Sequence, residues 1–207
     1  MSELARPLPL GATGARTRDA SGTLSLRLRL TWEAAAYGVL IMCAFGFRLW
    51  DLGSRAMHHD ESLHAYNAYQ ILQGRGYDYA PVLHGPFQFF GMALTFFLTG
   101  GASDTSARIL PALFGGVLAL LPLAFRGRLG RLGALLASAL IAFSPALLYY
   151  SRFAREDIYA AVFSLGIIIC IWRYIDEKKP HYLYISAVLL ALSFPRKRRR
   201  SSSRPLC

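Results

Sequence analysis

Acidic residues are scarce in this 207-residue chain: 12 Asp and Glu stand against 23 Lys and Arg, which gives a net charge of +11. Charged residues of both signs reach only 17%, whereas hydrophobic residues make up 54%. A nucleic-acid-binding protein can be this basic but is not usually this apolar, and a disordered chain would not carry 13% aromatic residues. A composition that is both apolar and basic is typical of a polytopic membrane protein, whose cytoplasmic loops collect Lys and Arg.

The three cysteines form no pattern that predicts disulfides or a metal site. Cys43 and Cys170 lie inside apolar runs, and Cys207 is the last residue. The sequence also contains no HExxH zinc motif and no nucleophile elbow for a catalytic serine. We therefore predict no metal site, with a divalent cation left open as a cofactor.

Apolar runs predict four full membrane spans, each near the roughly 17–25 residues that cross a bilayer. These runs lie at about 34–50, 107–125, 132–150 and 158–174, followed by a truncated fifth run at 182–194. Residues 1–33, which include five arginines, predict a cytoplasmic lead. Arg48, near the end of the first span, is expected to snorkel toward the membrane surface. The fold class predicted is an all-α polytopic membrane protein.

The apolar run at 87–99 decides the topology of the chain. At 1.5 Å per residue it is about 20 Å long, shorter than the roughly 30 Å hydrocarbon core. If it lies in the interface or re-enters, the basic loops at 126–131 and 173–179 both become cytoplasmic, as the positive-inside rule requires. We therefore expect a multi-pass plasma-membrane protein with a cytoplasmic N-terminus and one large acidic external loop at 51–106, which contains interfacial helices.

The basic tail at 195–207 does not fit this arrangement. Its six basic residues follow a helix that should end outside the cell. We expect the tail to be a frameshift or truncation artefact, so that the chain is an incomplete fragment. The alternative is a genuine tail that binds anionic lipid from the cytoplasmic side.

The densest polar cluster, from His58 to His64, begins eight residues after the first predicted span. Asp60 is expected to cap a helix over Glu61–Gln73. The buried face of that helix is expected to consist of Leu63, Tyr66, Tyr69 and Leu72. The alternative is that Asp60 only caps the helix and Glu61 only complements its dipole. Four of the five histidines fall between positions 58 and 84, which weighs against this alternative.

Two further polar stretches are expected on the same side of the membrane. His84 directly precedes a Gly-Pro pair at which a helix is expected to begin. Arg152 and Arg155 could clamp a phosphate, and Asp157 could face Asp60 across the site. The alternative is that the aromatic and arginine side chains of this second stretch anchor the protein in the interface.

Four motifs occur in an order and at a spacing that resemble the flippase-activity-associated family of archaeal and bacterial membrane proteins. They are His58-His59-Asp60-Glu61-Ser62, the stretch from Tyr77-Asp78-Tyr79 to His84-Gly85-Pro86, Thr105-Ser106-Ala107-Arg108, and the stretch from Phe143-Ser144-Pro145 to Glu156-Asp157. This family belongs with the GT-C glycosyltransferases, beside the protein O-mannosyltransferases and the aminoarabinose–lipid A transferases. The resemblance runs from about Leu40 to Phe194 and covers the N-terminal part of such an enzyme.

The resemblance implies an inverting glycosyltransferase that moves a sugar from a polyprenyl-phosphate carrier to an acceptor on the extracytoplasmic face. It implies that Asp60 is the general base on the acceptor hydroxyl. We assign catalytic roles to Asp60, Glu61 and Asp157, and substrate binding to His58, His59, His84, Arg152 and Arg155. The expected partners are the lipid-linked sugar, membrane lipid and a glycan, lipid or protein acceptor, without nucleic acid.

The alternative function is a non-enzymatic flippase component or transporter for the lipid-linked sugar. A transporter should place ionisable residues in the middle of its spans. The central parts of the four predicted spans carry none, which favours the enzyme.

Overall fold

The computed structural model describes residues 32–76 and 86–193, and the regular structure in these ranges is entirely helical. In chain order the helices are α1 (Trp32–Leu49), α2 (His59–Leu72), α3 (Pro86–Thr99), α4 (Asp104–Leu120), a 3-10 turn (Leu121–Phe125), α5 (Arg126–Phe143), α6 (Pro145–Ser151), α7 (Asp157–Glu177) and α8 (His181–Ser193). The predicted all-α membrane fold is confirmed. His84, most of the N-terminal lead and the basic tail lie outside the described residues, so what was predicted for them stays a prediction.

Three helical stretches of the described chain are long and apolar enough to cross a membrane: Trp32–Leu49, Asp104–Phe143 and Asp157–Glu177. The middle stretch has 40 residues. As one straight helix it would be about 60 Å long, twice the thickness of the hydrocarbon core. It bends instead after the 3-10 turn, at Gly130, whose φ of 72° and ψ of 173° interrupt the helical geometry. The stretch therefore supplies two arms, α4 and α5.

Contacts with α1 fix the directions of α4 and α5. Arg108, near the start of α4, reaches the chain just after α1, whereas Gly116 of α4 faces Phe45 within α1. Helices α1 and α4 are therefore antiparallel. Glu33 at the start of α1 pairs with Arg126 at the start of α5, and Arg48 near the end of α1 reaches Ala142 near the end of α5. Helix α5 therefore runs parallel to α1.

The bundle consequently has two polar ends. The Asp60 end is formed by residues 50–60, 104–108 and 144–157. The Arg128 end is formed by residues 32–33, 121–131 and 173–181. Helix α7 connects the two, because Asp157 at its start lies beside Arg155 and Asp176 near its end pairs with Arg128.

Helix α3 has only 14 residues and packs beside α4 without the length of a membrane span. Phe87, in its first turn, makes edge-to-face contacts with Phe114 and Phe163, at centroid distances of 5.5 and 5.1 Å. Farther along α3, Met92 and Phe96 are buried with Ala107 of α4. The helix therefore runs antiparallel to α4, from the level of Phe114 toward the Asp60 end, and packs beneath the residues of that end on the side of the apolar core.

The expectation that Arg48 snorkels is wrong, because its side chain is fully buried in the bundle. The guanidinium donates to the carbonyl oxygens of Ala44, Ala142 and Ile141 at 3.0, 3.2 and 3.2 Å. Two of these carbonyls belong to the last turn of α5, where the helix itself supplies no donors. The arginine therefore points inward to satisfy a helix end, and Gly115 of α4 leaves the space that it occupies.

Gly115→Ala is expected to reduce the free energy of unfolding by about 1–3 kcal/mol, because the added methyl group would overlap Ser151 and crowd Arg48. Gly46→Ala is the matched control, since nothing lies within 4 Å of its added Cβ and alanine favours a helix by roughly 0.5–1 kcal/mol. Thermal unfolding in detergent compares the two variants. A Gly115→Ala protein as stable as Gly46→Ala would contradict the packing of α4 against α6.

Candidate active site

Helix α2 begins with a capping box built from His58 and Glu61. The Nδ1 atom of His58 accepts from the backbone N–H of Asp60 at 3.4 Å, and the carboxylate of Glu61 accepts from the backbone N–H of His58 at 3.1 Å. The prediction that Asp60 caps this helix is therefore wrong. Because His58 takes the cap position, the Asp60 carboxylate does not accept the capping hydrogen bond, and it is 45% exposed.

The buried face of α2 also differs from the predicted one. Leu63, Tyr66 and Tyr69 are 42%, 61% and 40% exposed, whereas the buried positions are Glu61, His64 and Ala68. Leu72 alone of the predicted set packs against the core. Hydrophobic periodicity failed here because a buried charge, rather than an apolar stripe, determines which face of α2 turns inward.

Glu61 forms a buried ion pair with Arg108 of α4. Its Oε1 atom accepts from Arg108 Nε at 2.9 Å, and its Oε2 atom accepts from Arg108 Nη2 at 2.7 Å. The backbone N–H of Ala154 adds a second donor to Oε1 at 2.9 Å, and that of His58 adds a second donor to Oε2. The two side chains are only 1% and 3% exposed. Four donors therefore occupy the four lone-pair positions of this carboxylate.

These hydrogen bonds determine the ionisation of Glu61. Burial by itself raises the pKa of a carboxyl group. Here burial is outweighed by the hydrogen bonds from Arg108 and from the backbone N–H groups of Ala154 and His58, which together hold the pKa of Glu61 below its usual value of 4.5. Glu61 is therefore an ionised carboxylate with every acceptor position engaged.

Arg108 uses its remaining donors to fix the loop between α1 and α2. Its Nη1 atom donates to the carbonyl oxygens of Leu52 and Arg55 at 2.8 and 2.7 Å, and its Nη2 atom donates to that of Ala56 at 3.3 Å. All five N–H groups of the guanidinium thus have acceptors. One buried arginine ties the loop before Asp60 and the helix after it to α4.

Asp60 and Asp157 both lie beside Arg155. The Nη1 atom of Arg155 is 3.9 Å from Asp60 Oδ2, and its Nε atom is 3.6 Å from Asp157 Oδ2. The three side chains are 45%, 48% and 36% exposed for Asp60, Asp157 and Arg155 respectively. The structure therefore brings together two carboxylates that are 97 positions apart in the sequence. Both contacts are longer than a hydrogen bond and the side chains are open to solvent, so a ligand can reach these charges.

Arg152 occupies a different position at the same end. It donates to the carbonyl oxygens of Phe47, Trp50 and Asp51 at 3.4, 2.8 and 3.1 Å, where α1 ends. It also lines a cavity of about 290 Å³. Arg55 lines the same cavity and lies over the ring of Tyr149, 5.2 Å from the centroid. Several arginine side chains thus line a cavity at this end.

His58 and His59 are exposed at the start of α2. The His58 ring lies 5.7 Å from that of Phe153, which precedes Ala154 and Arg155. Within the described ranges no group of three or more His, Cys, Asp and Glu side chains is placed to hold a metal ion.

Gln88 of α3 is a residue that the sequence alone does not single out. Its side chain is 2% exposed, and its Nε2 atom donates to the carbonyl oxygen of Ala154 at 2.7 Å. Glu61 accepts from the N–H of the same residue, so both backbone polar groups of Ala154 are hydrogen-bonded. Ala154 directly precedes Arg155. The only signal in the sequence is one amide in the otherwise apolar first turns of α3.

The fold and the site define a polytopic helical membrane protein with a charged, solvent-accessible site at one end of its bundle. Residues 83–199 match the family model described as dolichyl-phosphate-mannose-protein mannosyltransferase, and the chain belongs to this family of mannosyltransferase-type glycosyltransferases. The resemblance to GT-C enzymes is thereby confirmed. The matched segment contains Arg108, Arg152, Arg155 and Asp157 and begins after Asp60. No curated protein and no solved structure matches the chain significantly.

Proposed function

We propose that this chain carries the sugar-transfer site of a glycosyltransferase whose donor is a polyprenyl-phosphate-linked sugar. The observation that carries the proposal is the setting of Asp60. Its carboxylate is half exposed at the end of an apolar bundle, beside the cation of Arg155, while the neighbouring Glu61 is fully engaged. A donor with its lipid in the membrane and its phosphate at the interface would present its sugar at this height.

In the proposed reaction Asp60 accepts the proton of the acceptor hydroxyl as that oxygen attacks the anomeric carbon of the sugar. The new glycosidic bond forms as the bond from the same carbon to the carrier phosphate oxygen breaks. The bonding electrons leave with the polyprenyl phosphate, and attack from the opposite face inverts the configuration. Arg155 stabilises the negative charge that develops on the departing phosphate.

The other predicted site residues act around this pair. We assign Glu61 a positioning role, because its acceptor positions are all occupied and no acceptor hydroxyl can reach them. Asp157 orients Arg155 through its contact with the Nε atom. His58 and His59, exposed beside Asp60, and Arg152, at the nearby cavity, contact the donor headgroup, together with His84.

The site is proposed to face the extracytoplasmic side of the plasma membrane. Arg126, Arg128, Arg131 and Arg173 all lie at the opposite, Arg128 end of the bundle. The positive-inside rule assigns such an end to the cytoplasm. A polyprenyl-phosphate donor is compatible with this side, because it needs no nucleotide in the compartment where transfer occurs.

The donor class is tested with the purified full chain in liposomes. Radiolabelled mannose is supplied on three carriers: polyprenyl monophosphate, polyprenyl diphosphate and a nucleoside diphosphate. Peptide, glycan and lipid acceptors are offered in parallel. We expect labelled product and free polyprenyl phosphate from the monophosphate donor only. Turnover of the nucleotide donor would contradict the proposal, and movement of intact donor across the bilayer without transfer would favour the flippase.

Gln88→Leu is expected to lower kcat for sugar transfer by about tenfold with little change in the KM for the donor, because small misplacements of a reacting group are costly. The leucine removes the bond to Ala154 that holds Arg155 toward Asp60. Thr95→Val in the same helix is the control, since within the described ranges the Thr95 hydroxyl bonds only to the Met92 carbonyl of α3. Equal kcat losses in both variants would show that Gln88 acts only through the stability of α3.

A further inference from the structure

A cavity of about 410 Å³ lies at the Arg128 end, between the turn that joins α4 to α5 and the last turns of α7. Its charged lining consists of Arg128, Arg173, Asp176 and Glu177. Trp172 lines it as well, and Phe125 and Ile169 supply apolar wall. The proposed sugar-transfer reaction uses none of these residues, since it takes place at the opposite end of the bundle.

The charges that line the cavity are balanced and accessible. Arg128 Nη2 lies 2.6 Å from Asp176 Oδ1, and these side chains are 46% and 53% exposed. Arg173 Nη1 lies 3.4 Å from Glu177 Oε1, and Lys179, outside the cavity lining, lies 2.6 Å from Glu177 Oε2. A purely anionic ligand would meet two carboxylates here, and a purely cationic one would meet two guanidinium groups. The lining therefore fits a ligand that carries one charge of each sign.

Trp172 restricts the ligand further. The guanidinium of Arg128 lies 4.2 Å from the centroid of the Trp172 ring and so covers one of its faces. A quaternary ammonium group is commonly bound on such an aromatic face, and here Arg128 already occupies one of the two faces. A primary ammonium group does not need the ring, because it can donate three hydrogen bonds to carboxylates. Asp176 and Glu177 supply those carboxylates. Tryptophan is also enriched at the level of lipid headgroups in membrane proteins.

We propose that this cavity binds the headgroup of a phospholipid that carries both a phosphate and a primary ammonium group, as phosphatidylethanolamine does. The phosphate oxygens accept from Arg128 and Arg173. The ammonium group donates to Asp176 and to the Oε1 atom of Glu177, whose Oε2 atom is held by Lys179. The glycerol and upper acyl chains lie along Phe125 and Ile169. The site holds a lipid in the leaflet opposite the sugar-transfer site.

The proposal is tested by titrating the full chain in detergent with short-chain phosphatidylethanolamine, phosphatidylcholine, phosphatidylglycerol or inorganic phosphate, and measuring binding by native mass spectrometry. We expect phosphatidylethanolamine to bind about tenfold more tightly than the other two lipids, since only its headgroup makes charge-assisted hydrogen bonds to both pairs. Phosphatidylglycerol binding as tightly, or inorganic phosphate competing at equal concentration, would overturn the proposal in favour of a plain anion site.

Two variants and a control locate the site. Arg128→Gln should weaken phosphatidylethanolamine binding about tenfold, and Asp176→Asn should remove most of the preference over phosphatidylcholine. Arg126→Gln is the control, because Arg126 lies in the same turn but pairs with Glu33 outside this cavity. Unchanged binding in Arg128→Gln, or equal weakening in Arg126→Gln, would overturn the assignment to this cavity.

Discussion

Asp60→Asn is expected to lower the rate of sugar transfer by at least about 100-fold, the lower range of what a general base contributes. The amide keeps the size and shape of the side chain but cannot accept the hydroxyl proton. Its closest charged contact, Arg155, is 3.9 Å away, and the helix cap belongs to His58. The free energy of unfolding should therefore stay within about 0.5 kcal/mol of the wild-type value, as for an ordinary surface substitution.

The rate and the thermal unfolding midpoint are measured on the same preparation. Asp104→Asn is the matched control, because Asp104 is an acidic residue in the first turn of α4 at the same end of the bundle and makes no contact with Arg155 in the described structure. It should transfer sugar at close to the wild-type rate. Equal losses of activity in the two variants would mean that net charge at this end, rather than Asp60, matters.

Glu61→Gln is expected to have the opposite signature, with a large loss of stability. Removing one partner of a buried ion pair costs about 3–5 kcal/mol, because the other charge is left uncompensated. For a chain of this size that corresponds to a decrease in the unfolding midpoint on the order of 10 °C. Activity should be lost as well, since Ala154 and the loop before Asp60 would lose their common anchor.

A double-mutant cycle with Arg108→Met measures the coupling directly. The double variant should be less destabilised than the sum of the single variants, because no unpaired charge remains. Glu177→Gln is the control, since its ion pairs are exposed and such pairs contribute at most about 1 kcal/mol. Additive effects of Glu61→Gln and Arg108→Met would contradict the buried pair.

The depressed pKa of Glu61 adds a pH dependence to this second result. A carboxyl group with a pKa below its usual 4.5 in the folded state contributes its full stabilisation above that value. The contribution is lost as the pH falls through the lowered pKa of the folded state. The difference in unfolding midpoint between wild type and Glu61→Gln should therefore shrink when the pH is reduced below about 4.5, and a constant difference would count against the cause given for the shift.

The sequence predicts the all-α fold class because apolar runs are local features, although the run at 132–150 is divided between α5 and α6 at Ser144. It also predicts that Asp60, Arg155 and Asp157 share a side, since the positive-inside rule places whole loops. What it cannot predict depends on long-range partners. Local rules predict that Glu61 complements a helix dipole or takes part in catalysis. Only its partner Arg108, 47 positions away, shows why Glu61 is buried.

The same reason explains the errors at α2 and at Arg48. Ser, Thr, Asp and Asn are the usual N-cap residues, so local rules predict Asp60 as the cap of α2. In the structure His58 is the cap instead, because Glu61, held by Arg108, accepts the His58 backbone N–H. Arg48 likewise points inward because α5 ends with unpaired carbonyls beside it, which no local pattern reveals.

Single-turnover transfer from bound donor tests the central claim most directly. The wild-type chain and Asp60→Asn are each loaded with radiolabelled polyprenyl-phosphate mannose, the bound donor is quantified, and acceptor is then added. We predict equal donor loading and a transfer rate at least about 100-fold lower in Asp60→Asn, because the proton acceptor alone has been removed. Transfer by Asp60→Asn at the wild-type rate would contradict the assignment of Asp60 as the base.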